Sequence, residues 1–225
     1  MDALLKGRVV KVEDFPSDYL YDAIGLCLKE HRVSTMPEII DIKIENQLNS
    51  KLWQHLYSSA SMKAIGKNRA GNRVIVYSHL RDNLFANPRG ILEAIDRRLV
   101  KGAGKIPSID FYRLVELDEL KDENGNRLVW VLDYDNRRGV KKTFSIEETL
   151  EDPETIPFLG GEERAERYLQ LHKEIYGERL MLNHSNEFKD ENIGWLLYLG
   201  NFYIKGLFSN YPLDSSGHFL GIKEK

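Results

Sequence analysis

The stretch Ile109–Asp135 places the tightest constraint on what this chain can fold into. Two runs, IDFYRLVEL and RLVWVLDYD, flank Glu123-Asn124-Gly125-Asn126. Asn-Gly favours a two-residue type I′ turn, because both central residues must accept positive φ. The spacing predicts a β-hairpin with Glu116 opposite Asp133, and with Asp118 and Asp135 on the same face. The other face would carry Phe111, Val115, Leu117, Trp130, Leu132 and Tyr134. One face is then core, and the other is either a metal or acid–base platform or a solvated surface.

The rest of the first half alternates between strand and helix patterns. GRVVKV (7–12) reads as a strand, followed by a helix opened by Pro16-Ser17 with Leu20, Ala23, Ile24, Cys27 and Leu28 at helical spacing. EIIDIKI (38–44) alternates as a strand, and residues 46–65 show a helical stripe of Leu48, Leu52, Leu56, Ala60 and Ala64. RVIVYSH (73–79) has the continuous apolar centre of a strand covered on both faces. Asn87-Pro88 then supplies a helix cap and first turn. After the expected hairpin come a third antiparallel strand at 142–146 and a looped segment at 147–161. The clearest helix is 162–176, and HFLGI (218–222) reads as a closing strand. Residues 193–208 are apolar without a decisive period. This order predicts an α/β or α+β layered fold with a mixed sheet, in one domain spanning 1–225, with a subdivision near 102–107 as the alternative.

Bulk properties exclude several functions. The net charge of −3 gives no global reason to expect nucleic-acid binding. The single cysteine, Cys27, allows neither an internal disulfide nor a Cys₂ or Cys₄ zinc site. No apolar run approaches the length of a membrane span, and Met1–Gly7 lacks a signal-peptide core. A cytoplasmic location is the expectation, with self-association left open. Gly102-Ala103-Gly104-Lys105 is not a phosphate loop, since Ile106 stands where Ser or Thr is required and a helix precedes it. There is no H-E-x-x-H and no G-x-S-x-G. Glu38, Asp41, Lys43 and Glu45 match in outline the acid-x-Lys strand of restriction-type nucleases, but without the Pro-Asp turn that precedes it there; alternating charge on a strand face gives the same pattern. The loop around Gly66–Asn72, with Lys63, Lys67, Arg69 and Arg73, offers cations for phosphates or merely a solvated surface.

Two function classes follow. The first is a divalent-metal-dependent hydrolase, acting on phosphodiesters, with Glu116, Asp133 and Asp135 holding Mg²⁺ or Mn²⁺. In it, His79 serves in acid–base chemistry and Arg81 clamps the anion at the end of strand 73–79. His184, with Asp190 or Glu191, is a weaker candidate cluster, and His172 reads as a core histidine on a helix stripe. The second class is a non-catalytic binding or assembly protein. There the carboxylates are surface, and the aromatic stretch Trp195, Tyr198, Phe202, Tyr203 and Phe208 is either core or partner-facing.

Overall fold

The computed structural model describes residues 1–47, 50–136, 141–184, 190–200 and 205–224. The first half comprises β1 (Asp2–Leu5), β2 (Arg8–Ser17), α1 (Leu20–Cys27), β3 (Arg32–Val33), α2 (Met36–Glu45), α3 (Ser50–Gln54), β4 (Tyr57–Lys67), β5 (Arg73–Ser78) and α4 (Pro88–Asp96). β6 (Gly104–Lys105), α5 (Ser108–Glu116), β7 (Val129–Asp133), β8 (Lys141–Ser145), α6 (Ile146–Leu150), α7 (Thr155–Leu159) and α8 (Glu162–Tyr176) follow. The chain closes with β9 (Arg179–Asn183), β10 (Ile193–Leu199), β11 (Gly206–Phe208) and β12 (Gly217–Glu224).

The strands form one mixed sheet in the order β1-β2-β12-β4-β10-β11-β9-β8, with β5 also on β4 and β7 on β5. β11 runs parallel to β9, and β12 parallel to β4; the other pairings are antiparallel. The fold is therefore a layered α+β architecture. On β5, Val74 and Val76 pack with Leu20, Ile91 and Phe111 of α1, α4 and α5, whereas Ile75 and Tyr77 pack with Ile39, Phe158 and Leu169 of α2, α7 and α8. Strand side chains alternate between faces, so the sheet lies between two helical layers and β5 is covered on both sides. None of the described helices is long and apolar enough to cross a membrane.

Four segments differ from their sequence-based expectation. Residues 38–44 are helical, because Thr35 and Glu38 form a capping box with Pro37 in the first turn. Residues 57–67 are strand; Ser58, Ser59, Ala60 and Ser61 are small enough to be buried at the centre of the sheet. The expected hairpin loses its first arm: residues 108–116 form α5, opened by Pro107, which buries Phe111 and Leu114 three apart. The chain still turns at Asn124-Gly125, but not as the expected type I′ turn: Gly125 has φ 82 while Asn124 lacks a positive φ, and the single bridge, Lys121 with Arg127, is one residue off the expected register. Residues 147–161 hold two short helices, the first capped by Ser145 with Glu148.

The free edge of the sheet at β1 is blocked. The Asn46 amide accepts from Leu4 N (3.0 Å) and donates to Leu4 O (2.9 Å), mimicking a peptide group. Glu45 accepts from Lys6 N and Gly7 N just beyond the strand. A capped edge resists strand addition by another chain.

Candidate binding cleft

The expected metal platform does not assemble. Glu116 sits at the end of a helix, paired with Arg69 at 3.0 Å. Asp135 pairs with Arg73 at 2.9 Å, and Asp133 accepts from Asp135 N at 2.9 Å. Asp118 binds Arg127 and accepts from Val131 N at 3.0 Å. Among the described residues no group of three or more His, Cys, Asp or Glu side chains could hold a metal ion. The metal-binding expectation is corrected on that ground. The carboxylates were to share a face with a strand that is in fact a helix.

His79 and Arg81 lie elsewhere. Both line a groove of about 440 Å³ with Glu38, Asp41 and Arg164, whereas Asp133 and Asp135 border a depression beside Lys67 and Arg73. The His79 ring is buried, with Nε2 2.8 Å from Pro157 O and Nδ1 2.8 Å from Ser61 Oγ. A carbonyl only accepts, so Nε2 carries the proton and Nδ1 accepts from the serine. Burial pushes the His79 pKa down to about 3, against the pull of the Pro157 carbonyl. Arg81 is committed to Glu38 at 2.8 Å, and Ser78 donates to Asn83 at 2.8 Å. The hydrolase reading fails because its metal ligands and its acid–base group stand apart. His184 does not join Asp190 or Glu191 either, since those pair with Lys67 and Lys105 and His184 is buried against Ser209. Lys63, proposed for a phosphate-binding loop, is fully buried, and His172 is a core residue as expected. The Glu38–Glu45 pattern lies on a helix, which removes the nuclease-strand alternative. Phe202 and Tyr203 of the aromatic stretch lie outside the described residues.

A different cleft, of about 570 Å³, opens where four neighbouring strands end. Ser17 ends β2 and Asp18 follows it, His55 precedes β4, Tyr198 lies near the end of β10, Ser216 immediately precedes β12 and His218 is its second residue. β12 and β4 meet at one register pair, Phe219 with Ser58, so the strands part beside the cleft. Tyr198 stacks on Tyr211 with ring centres 4.3 Å apart and planes 3° from parallel. The His55 and His218 rings are 5.0 Å apart, and His218 stands edge-on to the buried Tyr57 ring at 5.2 Å. Asp14 lies behind, its Oδ1 3.6 Å from His218 Nε2. Burial pushes the Asp14 carboxyl up, but His218 and the Tyr57 hydroxyl outweigh it and hold it below the ordinary carboxylate range.

The loop that rims this cleft, residues 209–216, is fixed at its root. Ser209 N donates to Asn183 O (3.1 Å), and its hydroxyl meets His184 Nδ1 (2.8 Å). Leu213 N donates to Gly102 O, and Ser215 O accepts from Leu20 N at the start of α1. Exposed tips on an anchored loop are a setting for recognition. Sequence reasoning named Tyr198 only among aromatics that are either core or partner-facing, placed His218 only at the start of a closing strand, and gave no role to His55, Tyr211 or Ser216. The available signal was the turn-rich run SNYPLDSSGH (209–218), whose Tyr, Ser, Asn and Gly content combines rigid aromatic area with adaptable hydrogen bonding.

No protein-family model matches the chain, and no curated protein does either. A solved structure described as the accommodation of massive sequence variation in Nanoarchaeota by the C-type lectin fold superposes with a TM-score of 0.87. It is 35% identical, and the match covers 95% of this chain and 98% of that one. This chain belongs to that C-type lectin-fold family. The C-type lectin fold accounts for the mixed sheet, and neither it nor the side-chain groups among the described residues support the hydrolase expectation.

Proposed function

We propose that this chain is a non-catalytic binding protein whose recognition face is the cleft formed by residues 16–18, 54–56, 198 and 216–218 with the adjoining Tyr211. The observation that carries this reading is the end-to-end kinship with a C-type lectin-fold protein described as accommodating massive sequence variation. A scaffold that tolerates variation must separate positions that hold the fold from positions that meet the partner. Here Tyr57 and Phe219 are buried next to the cleft and Ser209 at the root of its rim loop, while Asp18, Gln54 and Ser216 at its rim are exposed. Surface substitutions away from packed features change stability by about 0.5 kcal/mol or less.

The test is a displayed library randomised at Ser17, Asp18, Gln54, His55, Tyr211 and Ser216 and selected against ovalbumin, with a matched library on the outer face of α8. Most cleft variants are expected to fold, and binders should emerge from the cleft library in preference to the α8 library. Widespread unfolding of the cleft library, or enrichment no better than from α8, refutes the reading.

A further inference from the structure

We infer that the cleft recognises a cationic segment of a partner protein, one that presents Lys or Arg side chains to the tyrosines and carboxylates. This rests on the binding reading above and names the class of partner. The residues that line the cleft, 16–18, 54–56, 198 and 216–218, include no Lys or Arg, and the stretches of sequence around them, 12–28, 52–62, 190–204 and 206–222, contain none either, although the chain has 32 in 225 residues. The same segments bring exposed Asp18 and Asp22 to the start of α1 and exposed Asp214 to the rim loop. Among the described residues none of these three forms an ion pair. Around the 67–73 loop, by contrast, exposed carboxylates are met by the protein's own cations, as in Arg69–Glu116, Arg73–Asp135 and Lys67–Asp190.

The aromatic component is independent of the charge. Tyr198 and Tyr211 form a coplanar stack at the cleft, and Tyr19 and Tyr21 stack at 5.3 Å beside Asp18, with Tyr19 half exposed. Tyrosine faces attract guanidinium and ammonium groups, and carboxylates at the rim steer them. Elsewhere the protein uses this pairing internally: Arg73 over Tyr134 at 4.8 Å and Arg69 over Tyr112 at 5.2 Å. At the cleft the tyrosine rings and a neighbouring carboxylate are in place without a cation from this chain's lining residues. A partner's cation completes the pairing.

The experiment is titration with a fluorescein-labelled nona-arginine peptide by anisotropy, together with amide chemical-shift mapping of the full chain. Expected are saturable binding that weakens with salt, shifts confined to residues 16–22, 54–56 and 211–218, and a roughly tenfold loss of affinity in D18N/D22N/D214N. A triple variant on α8, E162Q/E163Q/E166Q, should leave affinity unchanged. Absent binding, shifts gathered at the Glu38–Arg81 groove, or an equal loss in the α8 variant overturns the inference. If nona-arginine fails while the randomised cleft library yields binders, only the cationic class falls. If the library fails as well, the recognition face falls with it.

Discussion

Among the described residues two lysines are buried, Lys43 and Lys63, and the fold handles their charge in opposite ways. Lys63, in the centre of β4, has its Nζ 2.5 Å from Glu154 Oε2, which also accepts from the Tyr77 hydroxyl at 2.6 Å. Burial pushes the Glu154 carboxyl up, but Lys63 and His184 outweigh it, and its pKa lies below the ordinary value. Lys43, on α2, has no hydrogen-bond partner among the described residues; its Nζ sits 5.0 Å from the Trp53 ring and 5.4 Å from that of Tyr57. Burial pushes its pKa down to about 7, and Asp14 only partly restores it. One site keeps its charge by pairing; at the other, burial loosens the hold on the proton. The paired site joins β4 and β5 to the α6–α7 connection, and His184 beside it holds the root of the rim loop. The unpaired site packs α2 against aromatics behind the cleft.

Breaking the pair has the largest expected effect. Glu154→Ala leaves an uncompensated ammonium inside the sheet and should cost about 3–5 kcal/mol in urea unfolding. The double variant Lys63→Met/Glu154→Leu should recover most of that loss. A single-variant cost below about 1 kcal/mol would mean that the pair does not hold the two layers together.

Acid should strike the paired side next. The pKa values of His184 and His79 are pushed down by burial, to about 4 and about 3, and that of His172 on the Lys43 side to about 4. The unfolded chain therefore binds more protons below the ordinary imidazole pKa, and stability falls as pH drops from about 6.5 toward 4, by up to ~1.4 kcal/mol per pH unit per histidine. His184→Asn should shallow the decline in urea midpoint between pH 7 and pH 5; an unchanged slope would show that this imidazole is not buried neutral.

Lys43 sharpens the contrast in the alkaline range. Its folded pKa lies below that of the unfolded chain, so wild type gains stability as pH rises from about 7 toward 10.5. Lys43→Met should be as stable as wild type or more so at pH 7, and the gap should narrow by up to ~1.4 kcal/mol per pH unit. A gap that stays constant with pH would return Lys43 to the charged class. The smallest effect belongs to Ser209→Ala, which removes the hydroxyl from His184 at the loop root. It should cost about 1 kcal/mol and raise amide exchange in residues 209–216.

The helix at 162–176 was legible from its sequence because its apolar stripe, first-turn acids and following glycine all agree. So was β5, whose uninterrupted apolar centre announces two covered faces. The run 109–117 was not, because its apolar residues fit both a period of two and a turn of helix, and short runs of this kind are ambiguous. Residues 38–44 share that ambiguity, although the Thr35-x-x-Glu38 box was available to resolve them. The Glu116–Asp133 pairing followed from the misread run and fell with it.

By itself the sequence determined what local periodicity can specify: a layered fold with a mixed sheet, the strands β2, β5, β7, β8 and β12, and the helices α1, α4 and α8. Only the tertiary structure decided which charges are buried and which residues meet. Lys63 and Glu154 are 91 positions apart in the chain, and Asp18, His55, Tyr198 and Ser216 come from four segments. Such contacts depend on strand order and register, which no local pattern encodes. The cleft exists because β2, β12, β4 and β10 end side by side.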